Sequence, residues 1–433
     1  MVCNPTILLT RLGRILSASA VALCFCLLAV HGAAAQDAPV KCGLGNGQPA
    51  TGAPIVVGAV VGKTGPADFS AGAAAARAYF ACVNANGGIH GRPVKYIIED
   101  DQWNPQIAAQ VAAKLVNVDH VVALVGSGSF VDASANAAFY AKNNVLSLSA
   151  ACPERGCYEA SNMAAVDAGP AASGLAAEQY AVKYLGAKSV VCITINMPNS
   201  GNWSCQLDND WMKAHGLTGT QVLINGGSID MTSALLQAEA QNPDTILLNL
   251  PAPYAIAALK AAVDQGVQDQ YHFIGETTLY DPAVPSALHG QWDGKLFIQT
   301  ATTPIDGKGP DATLWREVMK KYGVSDAAAT ARMDAFSQEG FVAARVFVKA
   351  LLEMNPADID RANVTKEIRA MPPYKTDLLC RPWYFGPGNR HYPNRTGLIV
   401  TPEGKGFKTV HDCLTAESSY FAPIVAEEKK LGL

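Results

Sequence analysis

Motifs that would identify a metalloprotein, a nucleotide-binding protein or a hydrolase are missing from this chain of 433 residues. It has no Cys-x-x-Cys pair and no two histidines three or four residues apart, which argues against a zinc site. The Gly-x-Ser-x-Gly turn of serine hydrolases is absent around 127–129. A glycine-rich run at 58–64 has three residues between its glycines, whereas the phosphate-binding loop needs four. We therefore expect no metal, no cofactor and no catalysis.

Charge is also scarce and balanced. Charged residues make up 16% of the chain, and the net charge is −4 with both signs mixed along the sequence. Binding to nucleic acid or to an anionic membrane surface requires a concentrated basic patch. We therefore expect neither partner. The sequence contains no low-complexity tract or long linker, and its length is comfortable for two lobes.

A long apolar stretch at the N-terminus has the features of a signal peptide. Arg11 and Arg14 precede the apolar stretch Ile15–Val30, and the small residues 33–35 follow it. The stretch is short for a membrane span. We predict that residues 1–35 are a signal peptide cleaved near Ala35, and that the mature protein is periplasmic.

The cysteine count agrees with an exported protein. Three of the eleven cysteines fall in the predicted signal peptide, and the remaining eight are an even number that favours disulfides in an oxidising compartment. A turn-like tetrapeptide separates one pair, and a strand end and a helix start hold another. The pairs expected first are Cys152–Cys157 and Cys192–Cys205, which leaves Cys42 with Cys82 and Cys380 with Cys413.

The clearest local pattern is a strand–helix–strand unit near the start of the mature chain. Ile55–Val61 is a nearly continuous β-branched run, typical of a strand that is buried on both faces of a parallel sheet. Helical composition follows at Ala71–Asn84, and a second strand at Val94–Ile98. Such a unit places the loop after its first strand at the carboxyl edge of the sheet, where open α/β sheets bind ligands.

The alternation of strands and helices continues in two series. Further strands are predicted at 121–125, 145–148, 189–195, 221–224, 245–250 and 271–274, and helices at 105–118, 132–142, 174–185, 204–214, 231–240 and 254–265. After Gln299 the pattern predicts three helices and then a strand region at Arg381–Val400. Neither series has enough helices to cover both faces of its sheet, so we expect the chain to return and complete the first lobe.

An acidic run, Glu99-Asp100-Asp101, ends the second strand just before the helix that Asn104-Pro105 opens. A metal site or an acid–base pair is one interpretation of such a run. Because it lies at a strand end beside a helix start, we predict a solvated turn instead.

Several motifs in the first hundred mature residues resemble those of type I periplasmic binding proteins of ABC importers. They are the strand at 55–61, Thr64-Gly65-Pro66, the Asn-Ala-Asn-Gly-Gly-Ile run at 84–89, Gly91-Arg92-Pro93, and the acidic run with Asn104-Pro105. The branch that the chain resembles most is that of leucine/isoleucine/valine-binding proteins. The resemblance extends over essentially the whole mature chain but is weak after about Gln299.

This resemblance implies an α/β fold of two doubly wound parallel-sheet lobes, joined by three crossovers, with the ligand cleft between them. The N-terminal lobe would be 54–168 plus 299–390, and the C-terminal lobe 169–298 plus 391–433. Members of the family are not enzymes and close around one small-molecule solute. The expected partner is an inner-membrane ABC permease, and the expected oligomeric state is a monomer.

The resemblance also places the ligand between loops that follow strands of both lobes. The small polar loop at 127–130 would hold a carboxylate through free N–H groups at a helix start. Ordinary capping of that helix by Ser129 or Asp132 is the alternative. The candidate ligand-binding residues are Phe69, Ser127, Ser129, Phe130, Ser149, Ala151 and Cys152 in the first lobe, and Asn199, Ser200, Ala252, Glu276 and Thr277 in the second.

The residues leave two ligand classes open. Glu276 would pair with an ammonium group, which favours an amino acid, branched-chain or similar. Cys152 stands near the position where amino-acid binders of the family have threonine, and Pro251-Ala252 leaves room for a larger apolar group. These departures favour an aromatic or other carboxylic acid. A more distant alternative is an exported hydrolase that uses Ser127, Ser129 or Glu276, and a sensor lobe in place of an importer component is also open.

Overall fold

The computed structural model describes residues 40–227, 230–388, 390–392 and 394–433. The predicted signal peptide therefore lies outside the described residues. Across these ranges, no helix combines the length and the apolar composition that a membrane span requires.

The first sheet contains five parallel strands in the order β2-β1-β3-β4-β5. Its central β-branched strand β1 is almost entirely buried, as expected for a strand covered on both faces. The strands are β1 (Ile55–Val61), β2 (Val94–Asp100), β3 (Ala123–Val125), β4 (Leu146–Ser149) and β5 (Met163–Ala165). The helices between them are α1 (Ala71–Ala85), α2 (Pro105–Asn117), α3 (Asp132–Lys142) and α4 (Gly156–Glu159).

The second sheet has seven strands in the order β12-β11-β10-β9-β8-β6-β7. Strands β6 to β10 pair in parallel, whereas β11 and β12 add an antiparallel hairpin at one edge. The strands are β6 (Ser189–Ile195), β7 (Thr218–Ile224), β8 (Thr245–Asn249), β9 (His272–Gly275), β10 (Leu296–Thr300), β11 (Thr396–Glu403) and β12 (Gly406–Thr415). The interleaved helices are α5 (Gly169–Tyr180), extended by a π-helical turn to Leu185, α6 (Gly201–Ala214), α7 (Thr232–Glu239), α8 (Ala252–Asp264) and α9 (Ala283–Leu288).

After β10 the chain returns to the first sheet, as the sequence predicts. Helix α10 (Pro310–Tyr322), α11 (Ala335–Glu353) and α12 (Arg361–Ala370) follow, and α11 packs along α1. Their buried side chains share one core with β1 and β3. A last helix, α13 (Ala422–Leu431), ends the chain. The chain thus passes between the two sheets three times, and the predicted fold of two α/β lobes with three crossovers is confirmed.

The sequence prediction is wrong near the C-terminus. The strand region expected at Arg381–Val400 begins only at Thr396, and β12 is not predicted at all. Buried aromatic side chains such as Trp383 and Phe385 give 381–395 a strand-like composition, although only an isolated bridge forms there. Strand β12 is an edge strand whose polar side chains are largely exposed, so it carries no apolar run to recognise it.

The eight cysteines outside the predicted signal peptide form four disulfides, with the pairing expected from the sequence. The Cα–Cα distances are 5.7 Å for Cys42–Cys82, 6.2 Å for Cys152–Cys157, 5.8 Å for Cys192–Cys205 and 5.8 Å for Cys380–Cys413. The first bond ties the irregular N-terminal lead-in to α1. The last ties β12 to the segment that enters the second sheet.

Candidate functional site

A narrow cavity lies where loops from the two sheets meet. The first sheet and its helices contribute Phe69, Ala151, Cys152, Pro153 and Phe336, and the crossover and second sheet contribute Asp167, Gly169, Pro170, Ser173, Glu276, Thr277 and Thr278. Its free volume is only about 10 Å³. The walls are therefore close together in this conformation, and a ligand larger than water requires them to part.

The structure brings together only some of the residues predicted to bind ligand. Phe69, Ala151, Cys152, Glu276 and Thr277 line the narrow cavity. A second cavity of about 190 Å³ is lined partly by Phe130, Asn199 and Ser200. The predicted residues that lie outside the lining of both cavities are Ser127, Ser129, Ser149 and Ala252.

The predicted carboxylate-holding loop uses its hydroxyl groups inside the protein. Ser127 Oγ accepts a hydrogen bond of 3.2 Å from the backbone N–H of Val60. Ser129 Oγ accepts from the N–H groups of Val131, at 3.1 Å, and Asp132, at 3.0 Å. Both hydroxyls thus have partners within their own lobe. Ser149 Oγ likewise lies 3.4 Å from the hydroxyl of a neighbouring serine, and the partly buried Ala252 packs against the core of the second sheet.

The acidic run after β2 is not the solvated turn that the sequence predicts. Asp101 is fully buried and accepts hydrogen bonds from Ser129 Oγ and from the backbone N–H of Trp103. Burial raises the pKa of Asp101 to about 7. Asp100 accepts a 3.0 Å hydrogen bond from the N–H of Lys63. These carboxylates hold two loops of the first sheet in place, which a local reading of charge does not reveal.

The start of α3, predicted to receive a ligand carboxylate, already binds a carboxylate of the protein. Glu154 Oε2 accepts from the N–H of Ala133 at 2.8 Å, and Oε1 accepts from the N–H of Ser134 at 3.1 Å. Burial raises the pKa of Glu154 to about 8, although these hydrogen bonds favour its charged form. Glu154 lies in the short disulfide loop between Cys152 and Cys157, 21 residues from Ala133. Sequence spacing therefore does not predict that its side chain caps α3.

Two buried carboxylates line the narrow cavity, and the sequence predicts only one of them. The Asp167 side chain is 6% exposed, and its Oδ1 has no hydrogen-bond partner. Burial raises the pKa of Asp167 to about 7. Hydrogen bonds from backbone N–H groups, the strongest from Gly169, act in the opposite direction because they favour the charged form. Burial also raises the pKa of Glu276 to about 8, and the nearby charge of Asp167 adds to the effect. Among the described residues, no Lys, Arg or His lines this cavity.

The hydroxyl groups of the cavity wall donate to acceptors within the protein. Ser173 Oγ and Thr277 Oγ1 both donate to Gln299 Oε1, the latter at 3.2 Å. Ser173 Oγ also accepts from the N–H of Thr277 at 3.0 Å. Thr278 Oγ1 donates to the carbonyl oxygen of Leu250 at 2.8 Å and lies 3.3 Å from Glu276 Oε1. The wall therefore offers mainly acceptors to a ligand.

Aromatic rings form the opposite side of the site. The ring of Phe69 lies 5.2 Å from that of Phe336 and 4.7 Å from that of Phe130. Trp103 stacks on Phe130 at 4.1 Å. Of these rings, Phe69 and Phe336 line the narrow cavity together with Asp167 and Glu276.

Neither a wide surface groove nor a metal centre offers a better site among the described residues. The groove, about 1100 Å³, lies between helices α5 and α6 and the segment 414–420. Those elements are away from the strand ends at which the two sheets approach each other. Within the described ranges, no group of three or more His, Cys, Asp or Glu side chains could hold a metal ion.

Comparison with known proteins gives one family and one fold. A family model described as "Periplasmic binding protein" matches residues 54–406. A search of curated proteins finds no match.

Solved structures of similar fold include a fatty acid ABC transporter substrate-binding protein from Thermomonospora curvata, at 20% identity and a TM-score of 0.74, covering 86% of this chain and 96% of that one. A leucine-binding protein from Thermotoga maritima has 18% identity and a TM-score of 0.68, with coverage of 83% and 99%. An R. palustris solute-binding protein in complex with benzoate has 16% identity and a TM-score of 0.70, with coverage of 85% and 98%.

At these identities the solved structures show the fold alone. The family model, in contrast, matches residues 54–406, which is most of the chain. The chain therefore belongs to the periplasmic binding protein family.

Proposed function

We propose that this chain is exported to the periplasm, closes around a small organic solute that carries an ammonium group, and delivers it to an ABC importer of the inner membrane. The observation that carries the proposal is a pair of buried carboxylates, Asp167 and Glu276, in one cavity without a cationic side chain. A buried carboxylate is costly unless it is paired, so a cationic ligand would supply what the wall lacks.

The moving bodies in this proposal are the two lobes, 54–168 with 299–390 and 169–298 with 391–433. Shifting such an equilibrium from mostly open to mostly closed requires about 5.5 kcal/mol of preference for the closed form. The ligand must therefore contact both lobes. The cavity supports this because Phe69 and Glu276, on opposite sides, both line it. We propose a monomer that binds and does not catalyse.

An amino acid, branched-chain or similar, is the solute that Glu276 favours. An aromatic or other carboxylic acid is the second candidate, supported by the rings of Phe69 and Phe336. Proteins of this fold include one in complex with benzoate and one named for fatty acids. A carboxylic acid would need Asp167 or Glu276 in its protonated form, because two like charges repel at close range.

A thermal-shift screen separates the two candidates. Branched-chain amino acids and aromatic acids are tested at pH 6 and pH 8.5 on wild type, on Glu276→Gln, and on Glu403→Gln, whose carboxylate is exposed. An ammonium ligand should bind more tightly at the higher pH and lose about 2–5 kcal/mol in Glu276→Gln but not in the control. If only aromatic acids bind, and if they bind more tightly at pH 6 than at pH 8.5, the second candidate is supported instead. Turnover of a substrate would refute both.

A further inference from the structure

We infer that the solute is a small organic amine, held as its cation, that carries no carboxylate group. This inference rests on the proposed function and narrows its ligand class. Among the ammonium-bearing solutes of that proposal it favours amines over amino acids, and it disfavours the carboxylic acids of the second candidate.

The cavity wall presents mainly hydrogen-bond acceptors to a ligand. Asp167 Oδ1 is buried without a partner, and the Glu276 side chain has a single 3.3 Å contact from a hydroxyl that also donates elsewhere. The hydroxyls of Ser173 and Thr277 are turned toward Gln299. An ammonium group offers three donors and no acceptor, which matches a wall of acceptors.

The nearby helix starts and the nearby cationic side chains already hold carboxylates of the protein. The first N–H groups of α3 bind Glu154, and the N–H groups at the start of α5 face Asp167. Lys63 Nζ donates to Asp68 at 2.8 Å, and Arg332 pairs with a carboxylate at 3.0 Å. Neither cation lines the cavity. The carboxylate of an amino acid would therefore be buried beside two others, with neither a free helix start nor a cationic side chain to pair with it.

The groups that surround Asp167 and Glu276 also disfavour an anion and favour a cation. Glu339 of α11 is fully buried, both of its carboxylate oxygens lack partners, and the charge of Asp167 acts on it. Glu339 is thus a third acidic side chain close to Asp167, and it further disfavours the binding of an anion in the cavity. On the other side, the rings of Phe69 and Phe336 offer π-faces, which attract cations and accommodate an alkyl or aryl tail.

Matched ligand triplets test the inference directly. Isothermal titration at pH 8 compares isoamylamine, leucine and 4-methylpentanoic acid, and then phenethylamine, phenylalanine and 3-phenylpropanoic acid. In each triplet the apolar tail is shared and only the charged groups differ. We expect an amine to bind about a hundredfold more tightly than its amino acid, with no measurable binding of the acid.

Three variants test whether the two carboxylates of the cavity bind the amine. Glu276→Gln and Asp167→Asn should each weaken the amine about tenfold or more. Asp101→Asn, a buried carboxylate outside the cavity lining, should leave amine affinity unchanged. If Asp167→Asn fails to fold, the contrast between Glu276→Gln and Asp101→Asn still decides.

The outcomes separate the inference from the proposed function. An amino acid that binds more tightly than its amine overturns the inference and leaves solute capture standing. Binding of the acids alone overturns the inference and also the ammonium part of the proposed function. No binding by any of the six compounds contradicts the inference, and the thermal-shift screen then decides the proposed function by itself.

Discussion

Replacing Glu276 with glutamine should stabilise the ligand-free protein at alkaline pH while weakening ligand binding. The reason is that the side chain is 5% exposed and its carboxylate has no cationic partner. Burial, aided by the charge of Asp167, raises the pKa of Glu276 from 4.5 to about 8. Each tenfold change in an ionisation constant corresponds to about 1.4 kcal/mol, so the ionised form costs the folded state about 5 kcal/mol.

The sign of the pH dependence follows from linkage. Because the pKa is higher in the folded state, the folded protein retains a proton that the unfolded chain releases above about 4.5. The contribution of Glu276 to stability is therefore complete below pH 4.5 and is lost as pH rises through about 8. Glutamine does not titrate. Wild type and Glu276→Gln should be similar at pH 5, and the variant should be more stable at pH 9, by up to about 5 kcal/mol.

Urea unfolding of protein stripped of ligand, at pH 5 and pH 9, measures this difference. The control is Glu403→Gln, an exposed carboxylate whose replacement should leave the pH profile of wild type intact. Parallel profiles for wild type and Glu276→Gln would refute the reasoning, because they would mean that Glu276 does not titrate differently in the folded state.

Three further predictions concern the covalent framework, the cavity backbone and lobe closure. Replacing Cys42 and Cys82 together with serine opens a loop of 40 residues and should lower the free energy of unfolding by about 2–4 kcal/mol in urea titrations. Gly169→Ala should cost more stability than Gly186→Ala, because both have positive φ, +68° and +79°, but only the Cβ at 169 would meet the Tyr158 hydroxyl, at 2.2 Å. Equal losses of thermal stability would contradict that steric argument. Small-angle scattering should give a smaller radius of gyration with saturating ligand than without it, and an unchanged radius would contradict closure.

Much of the fold is predictable because the buried parallel strands carry their own signal. Strands such as β1 and β6 are nearly continuous runs of β-branched and other apolar residues, so the sequence alone locates them to within a residue or two. The return of α10–α12 to the first sheet follows from the need to cover its faces. The edge strand β12 carries no such signal, because its polar residues face solvent. It is a strand because it pairs with β11, and its own composition does not indicate this.

The site is less predictable because long-range contacts decide the role of each polar residue. The sequence predicts Glu276 in the candidate site but not Asp167, which also lines the cavity and lies at a crossover where the resemblance assigns no ligand contact. It assigns ligand binding to Ser129 but does not predict that the Ser129 hydroxyl donates to Asp101, 28 residues away. Glu154 reaches the start of α3 from 21 residues along the chain. Such pairings depend on how the loops converge, which neither spacing nor composition encodes.

The central claim is that Asp167 and Glu276 form a site for an organic cation. Wild type and Glu276→Gln are purified from the periplasm without denaturation, then denatured, and the small molecules released are identified by mass spectrometry. We expect wild type to release an amine without a carboxylate in near-stoichiometric amount, and the variant to release much less of it. Release of a carboxylic acid, or of the same compound in equal amount from both proteins, would contradict it.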